Sequence, residues 1–295
     1  MFKVDGLDGQ TVQLDPWGGQ QEARGNSKGA EWYVENIREE LDQEREWFAD
    51  FKAKKLFYYP NATAPPAKVV VPRLATLISI DGGSPSQDGK PRPASAVVSG
   101  IQMHGFTLTH SLTTFLEEYE VPSGGDWSMH RGGALFATGT RELSIEGVHF
   151  TRLGGNAVML SEYVRDSSFH SCEFSWVGDS GIAQMGSVKF DRTGNRSPES
   201  LDLMDATDGE HPEGTTVQSC VFREIGVYGK QVSAFASALA FKSTINGSIF
   251  FNGPRAGINW NDGMGGNNSV TQNLMFNWVR ETSDHGTFTG LVHCP

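Results

Sequence analysis

The feature that most constrains the fold is a recurring phenylalanine, flanked by short apolar runs and by Gly or Asn turns. The segments "SIEGVHFTRLGGNAV", "SFHSCEFSWVGDSGI", "TVQSCVFREIGVYGK", "TINGSIFFNGPRAGI" and "SVTQNLMFNWVRETS" align on Phe150, Phe174, Phe222, Phe250 and Phe276. An earlier segment, "GIQMHGF", adds Phe106. The repeat is about 25 residues long, with extra residues in two turns, and a period of this length indicates stacked supersecondary units.

Each repeat consists of short predicted strands between turns and has no helical stripe, which excludes leucine-rich and helical solenoids and leaves a parallel β-helix. Two residues before each aligned Phe, a column of small or apolar side chains has the strand parity of the core: Val148, Cys172, Cys220, Ser248 and Leu274. Stacked neighbours lie about 4.8 Å apart. The Cβ atoms of a disulfide are only about 3.8 Å apart, so Cys172 and Cys220 are predicted to be buried free thiols.

The N-terminal part of the chain lacks the repeat. "AEWYVENIREEL" suits a short helix, "EWFADFKAKKLFYYPN" predicts two aromatic strands joined by a Lys-rich turn, and "KVVVPRLATLISIDGG" predicts further strands. The sequence thus predicts two domains: residues 1–92 form a β-rich cap with a short helix, and residues 93–295 form the β-helix. The cap is expected to pack across the open sheet edges at the N-terminal end of the solenoid.

Charge and hydropathy exclude several classes of partner. The net charge is −11 and no basic stripe compensates it, which argues against nucleic acid and membrane surfaces. No apolar run is long enough to span a bilayer, and the start "MFKVDGLDGQ" lacks the apolar core of a signal peptide. The chain is therefore either intracellular or a mature fragment. Four N-x-[S/T] sequons favour an extracellular, secreted protein: Asn61, Asn195, Asn246 and Asn267.

Polar and charged residues concentrate on the turn side of the later repeats. The columns five, eight and nine residues after the aligned Phe supply the substrate-binding candidates Asp179, Lys230, Arg255 and Asn259. A solenoid gathers such columns into one groove, which is the usual place for an extended chain ligand. Alternatives stay open: Asp179 would serve as a turn residue, Lys230 as a solvated charge, and Arg255 as the structural ion-pair partner of Glu281 on the adjacent coil.

Three carboxyl side chains near the end of the chain are candidates for catalysis. Glu281 and Asp284 lie in one segment, and Asp262 lies one repeat earlier. Glycosidases need two carboxyl groups about 5–5.5 Å apart for retention or about 6.5–9.5 Å apart for inversion. One coil rises about 4.8 Å, so Asp262 with Asp284 or Glu281 is a candidate pair, with His285 beside them as an acid/base or sugar-binding group. The alternative for Asp262, which precedes Gly-Met-Gly-Gly, is an Asx-turn.

Two loops supply further candidates. "GGDWSMHRGG" brings together Trp127, His130 and Arg131, and an indole face suits stacking on the C–H groups of a sugar. The long insertion "SVKFDRTGNRSPESLDLMDATDGEHPEG" is rich in Asp and is expected to overhang the groove, with Asp208 as its substrate-binding candidate. Its spacing does not match an EF-hand loop, so no metal site is predicted.

Several motifs carry a resemblance to known proteins. "ENIREELDQEREWFADFKAKKLFYYPN" resembles the opening module of carbohydrate-active β-helix proteins, typically written ENxxEELDxPGEWxxDxxxxxLYYYP. "VPSGGDWSMHRGGALF", "GDSGIAQMGS", "GVYGKQ", "NGPRAGINWNDGMGG" and "RETSDHG" resemble successive segments of the same group. Over nearly its whole length the chain is similar to the pectate-lyase-like superfamily, and within it to glycoside hydrolases such as family 141. The resemblance implies an all-β fold, a right-handed parallel β-helix with an N-terminal β-rich cap, and a carbohydrate ligand.

The chain departs from this group in two places. It has "QERE" where the group usually has Pro-Gly. After "DHG" the group continues with a Pro-Phe-Asn-Ser-Trp-Asp-type segment and several more coils, whereas this chain reads "DHGTFTGLVHCP". The resemblance therefore implies a solenoid that is truncated at its C-terminal end, with its last coil uncapped.

These observations predict a glycoside hydrolase that cuts a poly- or oligosaccharide with paired carboxylates and without a cofactor. Its catalytic candidates are Asp284, Glu281, Asp262 and His285. Two alternatives stay open, because β-helices host several functions. A polysaccharide lyase or epimerase would use Lys230, Arg255 or His285 to remove the proton next to a uronate carboxyl, and a lyase would add Ca²⁺. A non-catalytic glycan-binding or structural β-helix would bind without turnover.

Overall fold

The computed structural model describes residues 3–14, 33–61, 66, 68–83, 96–120, 129–187, 209–261, 265–282 and 286–290. The regular structure of these residues is one turn of 3-10 helix, Arg38–Glu40, and a series of short β-strands. In chain order the strands are β1 (Val4–Asp8), β2 (Thr11–Leu14), β3 (Trp47–Asp50), β4 (Lys55–Tyr58), β5 (Ile78–Asp81), β6 (Val98–Ser99), β7 (Gln102–His104), β8 (Thr107–Thr109), β9 (Leu135–Arg141), β10 (Ser144–Glu146), β11 (His149–Leu153), β12 (Val158–Arg165), β13 (Ser168–His170), β14 (Glu173–Val177), β15 (Ile182–Met185), β16 (Pro212–Glu213), β17 (Thr216–Gln218), β18 (Val221–Ile225), β19 (Ser233–Ala238), β20 (Ala240–Phe241), β21 (Thr244–Asn246), β22 (Ile249–Phe251), β23 (Ala256–Trp260), β24 (Gly265–Gly266), β25 (Ser269–Thr271), β26 (Leu274–Phe276) and β27 (Phe288–Gly290).

Most strands belong to three parallel sheets that stack strand on strand, so the chain is a right-handed parallel β-helix, as predicted. Sheet A contains β5, β6, β9, β12, β15, β16, β19, β20, β23, β24 and β27; sheet B contains β7, β10, β13, β17, β21 and β25; and sheet C contains β8, β11, β14, β18, β22 and β26. Each coil passes through sheets A, B and C in that order. The coils are numbered one to six here by their sheet C strands, from β8 to β26.

The phenylalanine column fills the core under sheet C. Strand pairing joins Phe150 to Phe174, Phe174 to Phe222 and Phe222 to Phe250. Their rings stack almost parallel with centroids 4.7, 4.4 and 4.7 Å apart, and all four side chains are fully buried. Face-to-face contact continues from coil to coil because parallel in-register strands hold identical side chains one strand spacing apart. The predicted column is therefore confirmed for these four residues.

The first and last coils correct the predicted register. In coil one the partner of Phe150 is Leu108, not Phe106. In coil six the partner of Phe250 is Met275, while Phe276 pairs with Phe251 on the outer face, where it is 46% exposed. Strand parity decides this assignment, because a shift by one residue sends a side chain to the opposite face of the sheet.

The column beside the phenylalanines is a hydrogen-bonded ladder. The backbone N–H of Cys172 donates to Cys220 Sγ, that of Cys220 to Ser248 Oγ, and that of Ser248 to Asn273 Oδ1, over 3.4, 3.0 and 2.8 Å. Coil six therefore contributes Asn273 and not the predicted Leu274. Cys172 and Cys220 are buried free thiols, as predicted.

The chain divides into two compact units, one of residues 1–22 and 72–295 and the other of residues 23–71. In the second unit β3 and β4 form the antiparallel hairpin that the aromatic pattern predicts. Of the described residues in the predicted short helix, only Arg38–Glu40 are helical, as one 3-10 turn. In the first unit β5 pairs in parallel with β9. A cap domain that extends to residue 92 stays a prediction.

Two of the three bends in every coil are tight and have the same backbone. At the bend from sheet B to sheet C the left-handed position holds Gly105, Gly147, Ser171, Ser219, Gly247 and Gln272, with φ between 52° and 72°. The bend from sheet A to sheet B has an equivalent column: Gly100, Glu142, Asp166, Gly214, Lys242 and Asn267. A single left-handed residue turns the chain sharply and costs least for glycine. The third corner, from sheet C to sheet A, varies in length from coil to coil.

Candidate functional site

The length of the corner from sheet C to sheet A differs between coils, and it determines which side chains of neighbouring coils lie side by side in sheet A. The turn after β14 contains residues 178–181, whereas the turn after β18 contains residues 226–232. Pairing in sheet A then aligns Ile182 with Phe235, Phe235 with Ile258 and Ile258 with Phe288. Lys230 therefore does not align with Ile182 and Ile258, as the predicted column required, and Asn259 is flanked by Ala236 and Thr289 instead of Gln231 and His285. The gapless alignment failed here because the corners after β18 and β26 are longer than those after β11, β14 and β22.

A third left-handed column ends the strands of sheet C. It has φ between 50° and 63° and contains His110, Arg152, Trp176, Glu224, Asn252 and Asn277, which we call the outward row. Each member follows its core residue by two positions, so pairing stacks the row along the solenoid axis. A left-handed backbone is unfavourable for bulky residues, and such strain concentrates at functional sites. In the sequence these residues stand two positions after each core residue, but no shared residue type marks them.

A corner pocket opens beside the outward row across coils three to six. Its volume is about 220 Å³. The apolar lining includes the indole of Trp176, which is 49% exposed, and the side chains of Val227 and Pro254. The polar lining groups are Glu224, Lys230, Asn252, Arg280 and Glu281. The pocket thus combines one aromatic surface with two carboxylates, two cations and an amide.

Charge pairs cross the pocket between coils. Lys230 Nζ lies 3.0 and 2.9 Å from the two carboxylate oxygens of Glu281, and it also donates to the carbonyl oxygens of Gly226 and Val227. Asn252 Nδ2 donates to Glu224 Oε1 over 2.6 Å, and Arg280 Nη1 lies 3.9 Å from Glu224 Oε2. These contacts fix both carboxylates in place while leaving them at the surface, where a ligand can reach them.

Gly253, the first glycine of "NGPRAG", is required by close packing below this pocket. A Cβ atom on Gly253 would lie 1.7 Å from Trp278 Cζ3, because the buried indole of coil six packs directly on the turn of coil five. Arg255 in the same turn is also buried. The stretch Ile249–Trp260 is therefore one strand-turn-strand unit, β22 to β23, whose turn forms part of the pocket wall.

A second polar cluster lies at the same corner in coils one to three. Asp179 is 3% exposed, and its Oδ2 accepts a hydrogen bond of 2.5 Å from the Tyr119 hydroxyl. Burial raises the pKa of the Asp179 carboxyl, although the Tyr119 hydrogen bond and the charge of His130 act in the opposite direction. Burial and the neighbouring Asp179 raise the pKa of Tyr119 as well. His130 Nε2 lies 2.8 Å from Glu117 Oε2.

The side chains around this cluster attach the coil one loop, which connects β8 to β9, to the solenoid. Arg131 forms a two-pronged pair with Glu120 and donates to Ser161 Oγ and to the carbonyl oxygens of Met185 and Gly186. With its donors used in this way, Arg131 has a structural role in the described structure. Substrate binding by His130, Arg131 and Asp179 stays a prediction.

The remaining predicted site residues fall into two groups. Asn259 lies on the outer face of sheet A and is only 1% exposed. The other predicted residues lie outside the described part of the chain: Trp127, Asp208, Asp262, Asp284 and His285. Of the four predicted catalytic residues the structure therefore places Glu281. It lies in the corner pocket with three members of the outward row that were not predicted from the sequence: Trp176, Glu224 and Asn252.

The described residues contain no candidate metal site and no candidate membrane-spanning helix. Among them, no three His, Cys, Asp or Glu side chains form a group that would hold a metal ion. No helix formed by these residues is long and apolar enough to cross a membrane.

Comparison with known proteins supports the fold. No protein-family model matches the chain, and no curated protein matches its sequence. A solved structure described as "Glycoside hydrolase" superposes with a TM-score of 0.66 at 20% sequence identity and covers 87% of this chain. The match takes in 46% of that protein, so the chain spans about half its length. At this identity the similarity is one of fold: this chain has the parallel β-helix architecture that the solved glycoside hydrolase also has.

Proposed function

We propose that the protein is carbohydrate-active, that the corner pocket holds one ring of a poly- or oligosaccharide, and that the reaction is hydrolysis of a glycosidic bond. The observation that carries the proposal is the pocket lining. Trp176 offers an exposed indole to the apolar face of a sugar, while Glu224, Glu281 and Asn252 offer hydrogen-bonding groups to its hydroxyls. The fold shared with a glycoside hydrolase supports it.

In this proposal Glu281 is the catalytic base or nucleophile. Lys230 Nζ lies 3.0 and 2.9 Å from its two oxygens and positions the carboxylate in the pocket wall, where a base or nucleophile would act. The sequence pairs it with Asp284 or Asp262 as the general acid, and the structure adds Glu224 as the second carboxyl group of the pocket lining. His285 is kept as a proton-transfer or sugar-binding group.

The lyase alternative is less well supported. Lys230 would need a free lone pair to remove a proton, but its ammonium donates to Glu281, Gly226 and Val227. A protein that binds glycans without turnover would use the same pocket. The sequons favour action outside the cell, and we propose an extracellular location on that basis.

A screen against a broad panel of glycans tests the hydrolase proposal. We expect new reducing ends without any unsaturated sugar that absorbs in the ultraviolet. Glu281→Gln and Asp284→Asn should each lower turnover by about 10²–10⁴-fold, the usual contribution of a general acid or base. Glu146→Gln, at an exposed carboxyl of sheet B, is the matched control and should keep full activity.

Each other outcome rejects part of the proposal. Full activity in Glu281→Gln would remove Glu281 from the chemistry, and full activity in Asp284→Asn would do the same for Asp284. An ultraviolet-absorbing product would establish a lyase, and binding without any product would establish a glycan-binding protein.

A further inference from the structure

The hairpin of β3 and β4 has two faces that differ in packing. On one face Phe48 lies opposite Phe57 with ring centroids 6.0 Å apart, and the guanidinium of Arg38 lies 4.4 Å from the Phe57 ring centroid. Trp47 and Leu56 have the other strand parity and lie on the opposite face. Their side chains are 59% and 48% exposed. One face of the hairpin is therefore packed, and the other leaves an indole and a leucine side chain at the surface.

The turn of this hairpin combines an exposed aromatic ring with positive charge. Phe51 begins the turn and is 83% exposed. Three exposed lysines follow it: Lys52, Lys54 and Lys55. Among the residues that the structure describes, none accepts a hydrogen bond from these ammonium groups or forms an ion pair with them. The turn therefore leaves three cations available to a ligand.

Charge is separated along this unit. Its described carboxylates lie before β3, with the exception of Asp50 at the end of that strand: Glu35, Glu39, Glu40, Asp42, Glu44 and Glu46. Asp50 Oδ1 accepts a hydrogen bond of 2.7 Å from the backbone N–H of Ala53 and so holds the turn. We call the exposed side chains of the turn and of the open face the hairpin surface: Trp47, Phe51, Lys52, Lys54, Lys55 and Leu56.

We propose that the hairpin surface binds an acidic polysaccharide, with carboxylate or sulfate groups at the lysines and sugar rings on Trp47 and Phe51. Ammonium groups attract anions, and exposed aromatic rings offer apolar area to the C–H faces of sugars. A strand rises about 3.4 Å per residue, so these two aromatic residues lie about 14 Å apart along the chain. The surface therefore suits an extended chain more than a single ring. The choice of a saccharide among linear anions rests on the proposed function.

The net charge of the protein favours a single chain over a flat anionic surface as the ligand. Charges in solution interact over a Debye length of about 8 Å. A membrane that contacts the lysines brings a broad negative plane towards a protein of net charge −11, and like charges repel each other. One polysaccharide strand contacts the hairpin surface and avoids most of this repulsion.

Binding to immobilised polymers tests the proposal with the full chain. Polygalacturonate carries carboxylates, chondroitin sulfate carries carboxylates and sulfates, and dextran is uncharged. A single-stranded thymidine oligonucleotide and vesicles that contain phosphatidylglycerol are the anions without sugar rings of this kind. We expect at least one acidic polysaccharide to bind at least about tenfold more tightly than dextran, the oligonucleotide and the vesicles, with an affinity that decreases as salt is added.

Variants locate the binding on the hairpin surface. The triple variant Lys52→Gln, Lys54→Gln, Lys55→Gln should weaken binding of the acidic polysaccharide by about tenfold, the combined effect of three exposed ion pairs. The matched control removes the same charge from exposed cations of the first unit and should bind nearly like the natural protein: Lys3→Gln, Arg73→Gln and Arg141→Gln. Phe51→Ala should weaken binding by about threefold and leave thermal unfolding unchanged, because the ring is exposed.

A second background separates this surface from the corner pocket. The loss caused by the triple variant should be the same in the natural protein and in Trp176→Gly, because independent sites contribute additively. Equal losses in the two triple variants would mean that net charge alone matters, and would overturn the inference. So would an unchanged affinity in the hairpin variants, no binding of either acidic polysaccharide, or equally tight binding of dextran, the oligonucleotide or the vesicles.

The outcomes are distinct from those for the hydrolase proposal. A glycan that is hydrolysed while no polysaccharide depends on the hairpin surface would leave the proposed function standing and reject this inference. Binding that depends on the hairpin surface, without hydrolysis of any glycan in the panel, would do the reverse.

Discussion

Two columns of residues run along the solenoid, two positions apart on the same strands of sheet C. One column repeats a residue type, and the other repeats a backbone conformation. The core column repeats a residue: Phe150, Phe174, Phe222 and Phe250 stack at 4.4–4.7 Å. The outward row repeats a backbone conformation, with φ of 50–63°, but carries a different side chain on almost every coil. Inside the coil, packing with the neighbouring coil restricts the residue type. Outside it, the bend restricts only φ and ψ, and the side chain remains available for function.

The two tight bends differ from each other, because the bend from sheet A to sheet B also holds charged residues such as Glu142, Asp166 and Lys242 in the left-handed conformation. The bend from sheet B to sheet C has the same left-handed conformation, but its residues are Gly, Ser and Gln. The outward row includes Arg152, Trp176 and Glu224 at a position where a small residue would be less strained. What distinguishes the row from both bends is that three of its members line the corner pocket, and the following predictions test whether these side chains are structural.

The largest expected effect is on the core column. Phe222→Ala leaves a cavity between two stacked rings and should lower the free energy of unfolding by about 3–5 kcal/mol. Because each coil relies on its neighbours, the loss should appear as destabilisation of the whole solenoid. Equilibrium unfolding in urea measures it.

A matched control separates the core column from the outer face. Phe276→Ala removes the same side chain from a position that is 46% exposed and stacked on Phe251 at 5.1 Å. Its loss should cost less than about 1.5 kcal/mol. Equal costs for the two variants would show that the register of coil six is wrong.

A smaller effect is expected at the buried carboxyl of the corner. Asp179→Ala leaves the Tyr119 hydroxyl without its acceptor, which should cost about 1–3 kcal/mol of unfolding free energy. A cost near zero in the same urea experiment would show that this hydrogen bond does not anchor the coil one loop.

The pH dependence at Asp179 has a defined sign. Because the folded protein raises the pKa of this carboxyl, its contribution to stability is fully present below the ordinary value of about 3.9 and is lost as pH rises through the raised value. The free energy of unfolding of the natural protein, relative to Asp179→Asn, should therefore fall from about pH 4 upwards. A difference that is constant or rises with pH would contradict the assignment.

The expected stability effect at Trp176 is smaller still. Trp176→Gly relieves a left-handed backbone but adds entropy to the unfolded chain, so the two contributions should offset each other to within about 1 kcal/mol. Thermal unfolding checks this result, with Ser219→Gly, at the equivalent bend position of sheet B, as the control. A loss as large as that of Phe222→Ala would mean that the outward row is structural.

The smallest effect concerns the ion pair of the pocket. Lys230 and Glu281 side chains are each about half exposed, and exposed pairs contribute about 0–1 kcal/mol. Lys230→Met should therefore change the unfolding free energy by no more than that, and added salt should reduce the difference. A larger loss that resists salt would indicate that the pair is structural and not available to a ligand.

The sequence was sufficient for the fold because repeated core residues reveal the repeat. The four stacked phenylalanines and the two buried thiols are in their predicted places. The register failed at both ends of the solenoid, where Leu108 and Met275 replace the aromatic ring. Hydrophobic side chains of different kinds fill such positions equally well, so identity alone does not reveal the register there.

The site was less predictable because it depends on the lengths of turns. Lys230 and Glu281 come from different predicted columns, yet the longer corner of residues 226–232 brings them into contact. Trp176 and Glu224 were missed because their column shares a backbone conformation and no residue type. Positive φ at a bulky residue is not encoded in any local pattern of hydrophobicity, so only the structure shows the outward row.

The measurement that tests the central claim most directly compares Trp176→Gly with the natural protein on the same broad glycan panel. Our account holds that the outward row and its pocket are the saccharide site of the solenoid. It predicts that every uncharged glycan bound by the natural protein loses at least about tenfold in affinity, as for an aromatic residue central to an interface, while the melting temperature stays close to that of Ser219→Gly. An uncharged glycan that binds both proteins equally well would contradict the account and place the saccharide site elsewhere on the solenoid.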